Sequence, residues 1–331
     1  MFHSLQDEAL TISEQSASSE CALPLASRNS RSPGALEDAM PSKPDLHDRL
    51  AALPLWNGPI GIEPVAGGLT NRNLLITALQ GRFVARIAGD NAAHDIDRAA
   101  EQAATRAAAA CGLGPDLVWA EPGLMILRHI EGRTLGSADF ADQTKLRRVL
   151  ELLNRVRREL PDQYRGPLRD RSPFAILEHY AKKLSAEPNR WRRAADRYRP
   201  LLARLAARLA AMPSGFAHND IHGDNIIDDG RRLWLVDWEY AGQGQPLVDL
   251  ASLVNNAGLD GEAAHICLVD WLGRPPTAEE RRGFATMRLA AAMRDLFWGY
   301  AQDGLVASQL GKLDDYIAIN ENRVRAAAAR L

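Results

Sequence analysis

The sequence predicts an α+β fold with two lobes. A small N-terminal lobe holds an antiparallel sheet and one helix, and a larger C-terminal lobe is mainly helical. Short β-leaning segments precede residue 130, whereas apolar residues at 3.6-residue spacing dominate the chain beyond it. A polar segment at 216–240 interrupts the helical half. We therefore expect one lobe at 45–130 and a second at 131–331, with a hinge near 127–132.

The first 44 residues differ from the rest of the chain. They are rich in serine and lack a periodic apolar pattern, which predicts a disordered extension. Met40 stands just before the regular pattern begins. One hypothesis is that translation starts there and that residues 1–39 are absent from the native protein.

Local patterns place the individual elements. Strands are predicted where short apolar runs lie between glycine or polar turns, at 61–65, 73–77 and 82–87. An alanine-rich helix is predicted from Asp95 to Cys111, closed by Gly112. Amphipathic helices are predicted at 143–160, 173–186, 194–212 and 281–302.

Composition excludes several classes of protein. Lys and Arg number 40 against 42 for Asp and Glu, so no basic surplus points to a nucleic-acid partner. No apolar stretch reaches the roughly 18 to 20 residues of a membrane span, so no membrane insertion is expected. The three cysteines lack metal-ligand or disulfide spacing, and the start of the chain lacks a secretory pattern. We expect a cytoplasmic protein.

The segment 216–240 carries the residues with the clearest chemical meaning. His218, Asp220 and Asn225 form the pattern H-x-D-x-x-x-x-N, and Asp237 follows Asn225 by 12 residues across a predicted hairpin at 228–230. Protein kinases have this spacing in their catalytic loop, with a metal-binding aspartate after the next strand. Phosphoryl transfer needs an aspartate to accept the hydroxyl proton, and oxygen ligands that hold Mg²⁺ against the phosphates. A surface loop in which these residues only cap turns is the alternative.

The N-terminal half contains matching elements. Gly67, Gly68, Thr70 and Asn71 lie between two predicted strands, where backbone and hydroxyl groups can contact phosphate oxygens. A plain hairpin turn is the other interpretation of that glycine pair.

Arg86 stands on a predicted strand where protein kinases place a lysine that binds the nucleotide phosphates. Glu101, 15 residues later on the predicted helix, is placed to pair with Arg86, and Arg98 shares its face. An exposed helix charge is the alternative for Glu101.

Taken together, the segments Gly67 to Asn71, His218 to Asn225, and Asp237-Trp-Glu-Tyr-Ala-Gly242 with Asp249 resemble the choline/ethanolamine kinase family. That family lies within the aminoglycoside phosphotransferase-like superfamily, which has a protein-kinase-like fold. The resemblance covers about residues 50–325. It implies ATP and Mg²⁺ as cofactors, with a nucleotide-binding lobe at 45–130 and a catalytic and substrate-binding lobe at 131–331.

The resemblance also implies individual roles. Asp220 would be the catalytic base, Asn225 and Asp237 the Mg²⁺ ligands, and Arg86 the cation that binds the ATP phosphates. His218 is grouped with the catalytic residues, more as an organiser of the loop than as a proton carrier. Asp249 resembles a buried aspartate that steadies this loop.

The substrate follows from a separate physical argument. A quaternary ammonium group is recognised by aromatic faces and nearby negative charge. Glu239 and Tyr240 follow the metal aspartate, and Trp298, Tyr300 and Tyr316 lie late in the chain. These residues predict a pocket for choline or a related amino alcohol, although aromatic residues at helical spacing also commonly pack in a core.

Two departures keep other functions open. The loop 241–248 lacks the aromatic residues common in eukaryotic choline kinases, so thiamine or an aminoglycoside is an alternative substrate. Arginine in place of lysine at position 86 leaves a catalytically silent, nucleotide-binding pseudokinase as the alternative from another class.

Overall fold

The computed structural model describes residues 43–65, 72–186, 190–302 and 310–329. The loop residues Gly67, Gly68, Thr70 and Asn71 lie outside this part of the chain, as do residues 1–42. The described chain divides into two compact units, the smaller at 43–62 with 77–81 and the larger comprising the remainder. In the smaller unit, helix α1 (Lys43–Ala51) has Leu46 and Leu50 buried, and Trp56 Nε1 donates to the Leu50 carbonyl at 2.7 Å. No helix within the described residues is long and apolar enough to span a membrane.

Five strands form one sheet in the order β1-β2-β3-β5-β4. The strands are β1 (Gly61–Pro64), β2 (Arg72–Ala78), β3 (Gly81–Ile87), β4 (Leu117–Glu121) and β5 (Leu124–Arg128). Phe83, Ala85 and Ile87 share one face of β3 and are buried, and Arg86 on the other face is buried as well. Strand β5 pairs antiparallel with both β3 and β4.

One helix accompanies the sheet. Helix α2 (Arg98–Ala110) begins after Asp97, whose side chain accepts the backbone N–H groups of Ala99 and Ala100. Gly112 has φ +64°, a conformation that favours glycine, and it ends the helix as predicted. The helix starts three residues later than predicted because Asp97 caps it.

The remainder is mainly helical, as the sequence predicts. Its helices are α3 (Gln143–Gln163), α4 (Pro173–Ala186), α5 (Arg192–Arg197), α6 (Arg199–Ala210), α7 (Leu247–Asn256), α8 (Gly261–Leu272), α9 (Ala278–Ala301) and α10 (Leu310–Ala328). The prediction of a single helix at 194–212 was wrong. This segment contains two helices, α5 and α6, because Pro200 lacks an N–H and is tolerated only in the first turn of α6.

Helices α1, α7, α8 and α10 were not predicted, and for α7 burial explains why. Every residue from Val248 to Asn255 is buried, so no polar face alternates with an apolar one to produce a 3.6-residue pattern.

The polar segment between α6 and α7 folds into short strands and turns. Strands β8 (Ile226–Asp228) and β9 (Leu233–Leu235) form the predicted hairpin, and β6 (Arg133–Thr134) pairs with β8. Strand β7 (Gly215–Ala217) pairs with β10 (Gly242–Gly244), so the two ends of the segment lie side by side. This arrangement brings the loop at 218–225 and the residues after β9 to one place.

Candidate active site

A cavity of about 1320 Å³ lies among the sheet, the polar segment and helices α4, α9 and α10. Its lining includes most of the described residues that the sequence predicts for the site: Arg86, Glu101, Asp220, Asn225, Asp237, Glu239, Tyr240 and Trp298. His218 and Tyr300 are not among its lining residues.

The loop after β7 is held by two buried side chains. Asp249 on α7 accepts the backbone N–H groups of His218 and Asn219, each at 2.8 Å. Burial nevertheless raises the pKa of Asp249 to about 6, because these bonds offset the loss of water only in part. Asn219 has φ +66°, a left-handed conformation that is costly without such support.

His218 is fully buried and packs edge-on against Trp238. Its Nδ1 accepts the N–H of Asp220 at 3.2 Å, and its Nε2 lies 3.0 Å from the Val236 carbonyl. Burial lowers the pKa of His218 to about 4, so the ring is neutral near pH 7. Both ring nitrogens bind the backbone, which makes His218 a positioning residue for the loop.

Asp220 places its carboxylate at the cavity. Asn225 Nδ2 donates to its Oδ2 at 3.1 Å, and His222 Nε2 lies 3.5 Å from the same oxygen. Burial alone would raise the pKa of Asp220, but His222 and Arg294 outweigh it and hold that pKa below its ordinary value. Asp220 in turn helps to raise the pKa of His222 to about 9 against the effect of burial. The Asp220 carboxylate is therefore ionised and can accept a proton only from a strongly polarised hydroxyl.

Asn225 and Asp237 bring two oxygen-bearing side chains to the cavity across the β8–β9 hairpin. The Val236 N–H donates to the Asn225 carbonyl at 3.0 Å, which ties the two sides of the hairpin together. Asp237 has φ +67°, so the chain turns sharply where β9 ends. Amide and carboxylate oxygens are the ligands that Mg²⁺ prefers, and the donor set therefore fits this ion.

Arg86 on β3 is surrounded by carboxylates. Its Nε lies 2.6 Å from Glu101 Oε1, and its Nη2 lies 2.5 Å from Asp237 Oδ1 and 3.0 Å from Glu239 Oε2. Arg98 joins the group by contacting Glu101 at 2.5 Å and Glu239 at 2.9 Å. The predicted pairing of Arg86 with Glu101 is present in this geometry. We call these five residues the arginine–carboxylate cluster.

Glu239, which the sequence predicts as a substrate contact, lines the cavity. Its carboxylate is 5% exposed and binds two arginines, so it belongs to the arginine–carboxylate cluster. Burial alone would lower the pKa of Arg86, but Asp237, Glu101 and Glu239 raise it above its ordinary value. The guanidinium of Arg86 therefore stays charged.

The other end of the cavity is aromatic. Trp298 on α9 donates from Nε1 to the Tyr240 hydroxyl at 3.2 Å, and Tyr316 on α10 packs edge-on against Trp298 with ring centroids 5.4 Å apart. Tyr180 on α4 lines the same cavity. Sequence analysis missed Tyr180, whose place on an amphipathic helix gives no sign of a site residue.

Tyr300 does not join this group. Its side chain is fully buried, stacks on Trp191 with centroids 5.0 Å apart, and donates to Glu321 Oε1 at 2.7 Å. Two residues along a helix differ by about 200° in direction, so Trp298 and Tyr300 cannot both face one cavity. The two-residue spacing of Trp298 and Tyr300 in the sequence already indicates that they face different directions.

Comparison with known proteins finds sequences similar to part of this chain. Residues 61–286 match the model of a family described as "Phosphotransferase enzyme family". The chain is 27% identical over 213 residues to protein LicA of Haemophilus influenzae, a match covering 61% of this chain and 60% of that protein. The chain thus spans about three-fifths of that relative's length. A short match, 35% identical over 72 residues, covers 22% of the chain and 25% of a thiamine kinase from Salmonella typhi.

Solved structures share the fold. A choline/ethanolamine kinase family protein from Mesorhizobium loti is 26% identical, with a TM-score of 0.64 over 86% of this chain and 98% of that one. Choline kinase LicA from Streptococcus pneumoniae is 20% identical, with a TM-score of 0.68 over 87% and 99% of the two chains.

Proposed function

The chain belongs to the phosphotransferase enzyme family, and we propose that it transfers the γ-phosphoryl group of Mg-ATP to the hydroxyl of choline or a related amino alcohol. One observation carries the proposal. The Asp220 carboxylate lies at a cavity whose lining also includes Asn225, Asp237 and Arg86, and an aromatic group formed by Tyr240 and Trp298. A base, metal-type oxygen ligands, a phosphate-binding cation and a surface for a cationic head group thus share one space.

In the proposed reaction, Asp220 orients the substrate hydroxyl and accepts its proton as the oxygen attacks the γ-phosphorus. The new oxygen–phosphorus bond forms while the bond to the β–γ bridging oxygen breaks, and ADP leaves with that oxygen. Asn225 keeps the Asp220 carboxylate in place through its 3.1 Å bond to Oδ2. The Arg86 guanidinium provides a fixed positive charge for the nucleotide phosphates.

Asn225 and Asp237 are the residues that would hold Mg²⁺. The ion would supply positive charge against the phosphate oxygens as the β–γ bond breaks. Asp237 contacts Arg86 at 2.5 Å, so its carboxylate is shared between the arginine–carboxylate cluster and the proposed metal position.

The aromatic end supports a cationic alcohol. Aromatic faces attract ammonium groups, by about 2 kcal/mol or more where water is excluded. Asp295, 10% exposed, also lines the cavity and adds negative charge, although Arg294 donates to it at 2.7 Å. Thiamine, a larger cationic alcohol, is the second candidate and is favoured by the short match to a thiamine kinase.

The test is an ADP-release assay with Mg-ATP and, in turn, choline, ethanolamine, thiamine and a representative aminoglycoside. We expect turnover with choline or ethanolamine, abolished by Asp220→Asn, whereas that variant still binds ATP. Turnover with thiamine or the aminoglycoside alone would keep the kinase chemistry and reject the proposed substrate. ATP binding without turnover of any alcohol would reject the proposed activity.

A further inference from the structure

Arg294 on α9 is a buried arginine that lines the cavity beside Asp220. Its side chain is 8% exposed. Nε and Nη2 both donate to Asp295 Oδ1, at 3.1 and 2.7 Å, so one edge of the guanidinium is occupied. Nη1 is buried and has no hydrogen-bond partner among the described residues. A buried charged donor without an acceptor is costly, so the second edge, formed by Nη1 and Nη2, calls for an acceptor.

The two carboxylate oxygens of Asp220 differ in their partners. Oδ2 accepts from Asn225 Nδ2 at 3.1 Å and lies 3.5 Å from His222 Nε2. Oδ1 forms no hydrogen bond with the described residues, and its nearest cation is Arg294, whose Nη2 lies 4.0 Å away. The Asp220 side chain is 29% exposed at the cavity. Oδ1 is therefore the oxygen left to take the proton of a substrate hydroxyl.

The distance between Arg294 Nη2 and Asp220 Oδ1 fits one bridging oxygen. At 4.0 Å these two atoms are too far apart for a direct hydrogen bond. Two hydrogen bonds of about 2.8 Å that meet at roughly 90° on one oxygen give this separation. A hydroxyl can form both bonds, because it has one proton and two acceptor lone pairs. Its proton then points to Oδ1, one lone pair accepts from Arg294, and the second lone pair is left to attack phosphorus.

We propose that Arg294 is a catalytic residue that donates a hydrogen bond to the oxygen of the substrate hydroxyl while Asp220 Oδ1 accepts the hydroxyl proton. The phosphoryl transfer in this step rests on the proposed function, whereas the oxygen position between the two side chains does not. As the oxygen–phosphorus bond forms, the proton passes to Oδ1, the bond to the β–γ bridging oxygen breaks towards ADP, and Arg294 keeps its own protons.

The charge of Arg294 is present throughout this step. Burial alone would lower the pKa of Arg294, but Asp295 and Asp220 raise it above its ordinary value. A fixed cation in a buried site stabilises the negative charge that develops on the attacking oxygen. Loss of Arg294 should therefore slow the transfer itself as well as weaken binding of the hydroxyl.

The oxygen position can be observed without any alcohol, in a high-resolution crystal structure of the protein. Water offers the same donors and acceptors as a hydroxyl, so we expect an ordered water within about 3.2 Å of both Asp220 Oδ1 and an Nη atom of Arg294. A direct hydrogen bond between Arg294 and Oδ1, or the lack of an oxygen shared by the two side chains, would overturn the proposal.

Choline and ethyltrimethylammonium, which lacks only the hydroxyl oxygen, test the contact in solution. Their Kd values are measured by calorimetry with Mg²⁺ and a non-hydrolysable ATP analogue. We expect Arg294→Met to weaken binding of choline about tenfold more than binding of ethyltrimethylammonium, since a hydrogen bond from a charged donor contributes at least this much. Arg288 on the same helix is 11% exposed and does not line the cavity. Arg288→Met is therefore the matched control, and it should change the ratio of the two Kd values by less than about twofold.

A second variant guards against misfolding. Arg294→Met leaves the carboxylate of Asp295, 10% exposed, without its cation, whereas Arg294→Met/Asp295→Asn removes the charges of both partners. Both variants should show the same loss of discrimination, because the ratio of the two Kd values cancels any effect on the head group. With choline and Mg-ATP, kcat should fall about 100-fold or more in both.

Three outcomes separate this role from the proposed function. Equal weakening of choline and ethyltrimethylammonium, or an unchanged kcat, would make Arg294 a residue that only shapes the cavity and would overturn the proposal. If the enzyme uses ethanolamine instead, ethylamine is the matched compound and the same ratio decides. If no alcohol binds or is phosphorylated, the proposed function fails, and the crystal structure still decides whether Arg294 and Asp220 share an oxygen.

Discussion

Replacing Arg86 with methionine removes the central cation of the arginine–carboxylate cluster while keeping a side chain of similar length. Arg86 is 8% exposed and contacts three carboxylates at 2.5 to 3.0 Å. Oxygens of Glu101, Asp237 and Glu239 all lie within 4.8 Å of one another. In the variant, Arg98 is the remaining arginine of the cluster, and its contacts reach Glu101 and Glu239.

The expected loss of stability can be worked from these contacts. Removing one partner of a buried ion pair costs about 3–5 kcal/mol, because the other charge is left without compensation. Asp237 is 27% exposed and regains some water, so we expect the lower end, about 3 kcal/mol. A divalent cation bound among the freed carboxylates would restore about 2.7 kcal/mol at a concentration 100 times its dissociation constant.

The assay is urea unfolding at pH 7, with and without MgCl₂ or MnCl₂ and with no nucleotide. Arg98→Met is the matched control, because it removes the other arginine of the cluster and leaves Arg86 in place. We expect it to lose less stability and to gain less from the cation. A loss below about 1 kcal/mol in Arg86→Met, or no greater gain from the cation than in Arg98→Met, would refute this reasoning.

Three further predictions concern Asp220, Trp298 and His94. Asp220→Asn should lower kcat at least about 100-fold with ATP affinity nearly unchanged, which steady-state kinetics and calorimetry measure; retained activity would exclude Asp220 as the base. Trp298→Leu should raise KM for the alcohol about tenfold with little change in kcat. Tyr300 lies away from the cavity, so Tyr300→Phe should leave KM unchanged. Equal effects of the two substitutions would argue against an aromatic pocket. Folding lowers the pKa of His94 from its ordinary 6.5 to about 4, so the unfolded state binds the proton first as the pH falls. The free energy of unfolding should therefore fall between pH 6.5 and 4, by up to about 3 kcal/mol. In unfolding titrations His94→Asn should lack this component, and an unchanged pH slope in the variant would contradict the prediction.

The sequence predicts well that the polar residues of the segment 216–240 meet at one place. Asp220, Asn225 and Asp237 lie within one short stretch, and a tight hairpin leaves few arrangements for them. Arg86 and Glu101 were also predicted as a pair, because a strand followed by a helix that packs on its sheet brings such positions together.

The sequence is less informative about residues whose neighbours come from distant segments. Glu239 follows the metal aspartate in sequence, yet it binds arginines from β3 and α2. Tyr300 was grouped with Trp298 by closeness along the chain, although its direction on α9 places it in the helical core.

The sequence by itself determined the kind of chemistry, because a base, metal-type ligands and a cation must occur at spacings that local strands and turns can satisfy. Only the tertiary structure decided which aromatic residues meet. His94 is 86 residues from Tyr180 and 208 from Gln302, and nothing in local spacing connects them. Their contact depends on how the turn before α2 packs with α4 and α9, and that packing is set by side-chain shape over the whole core.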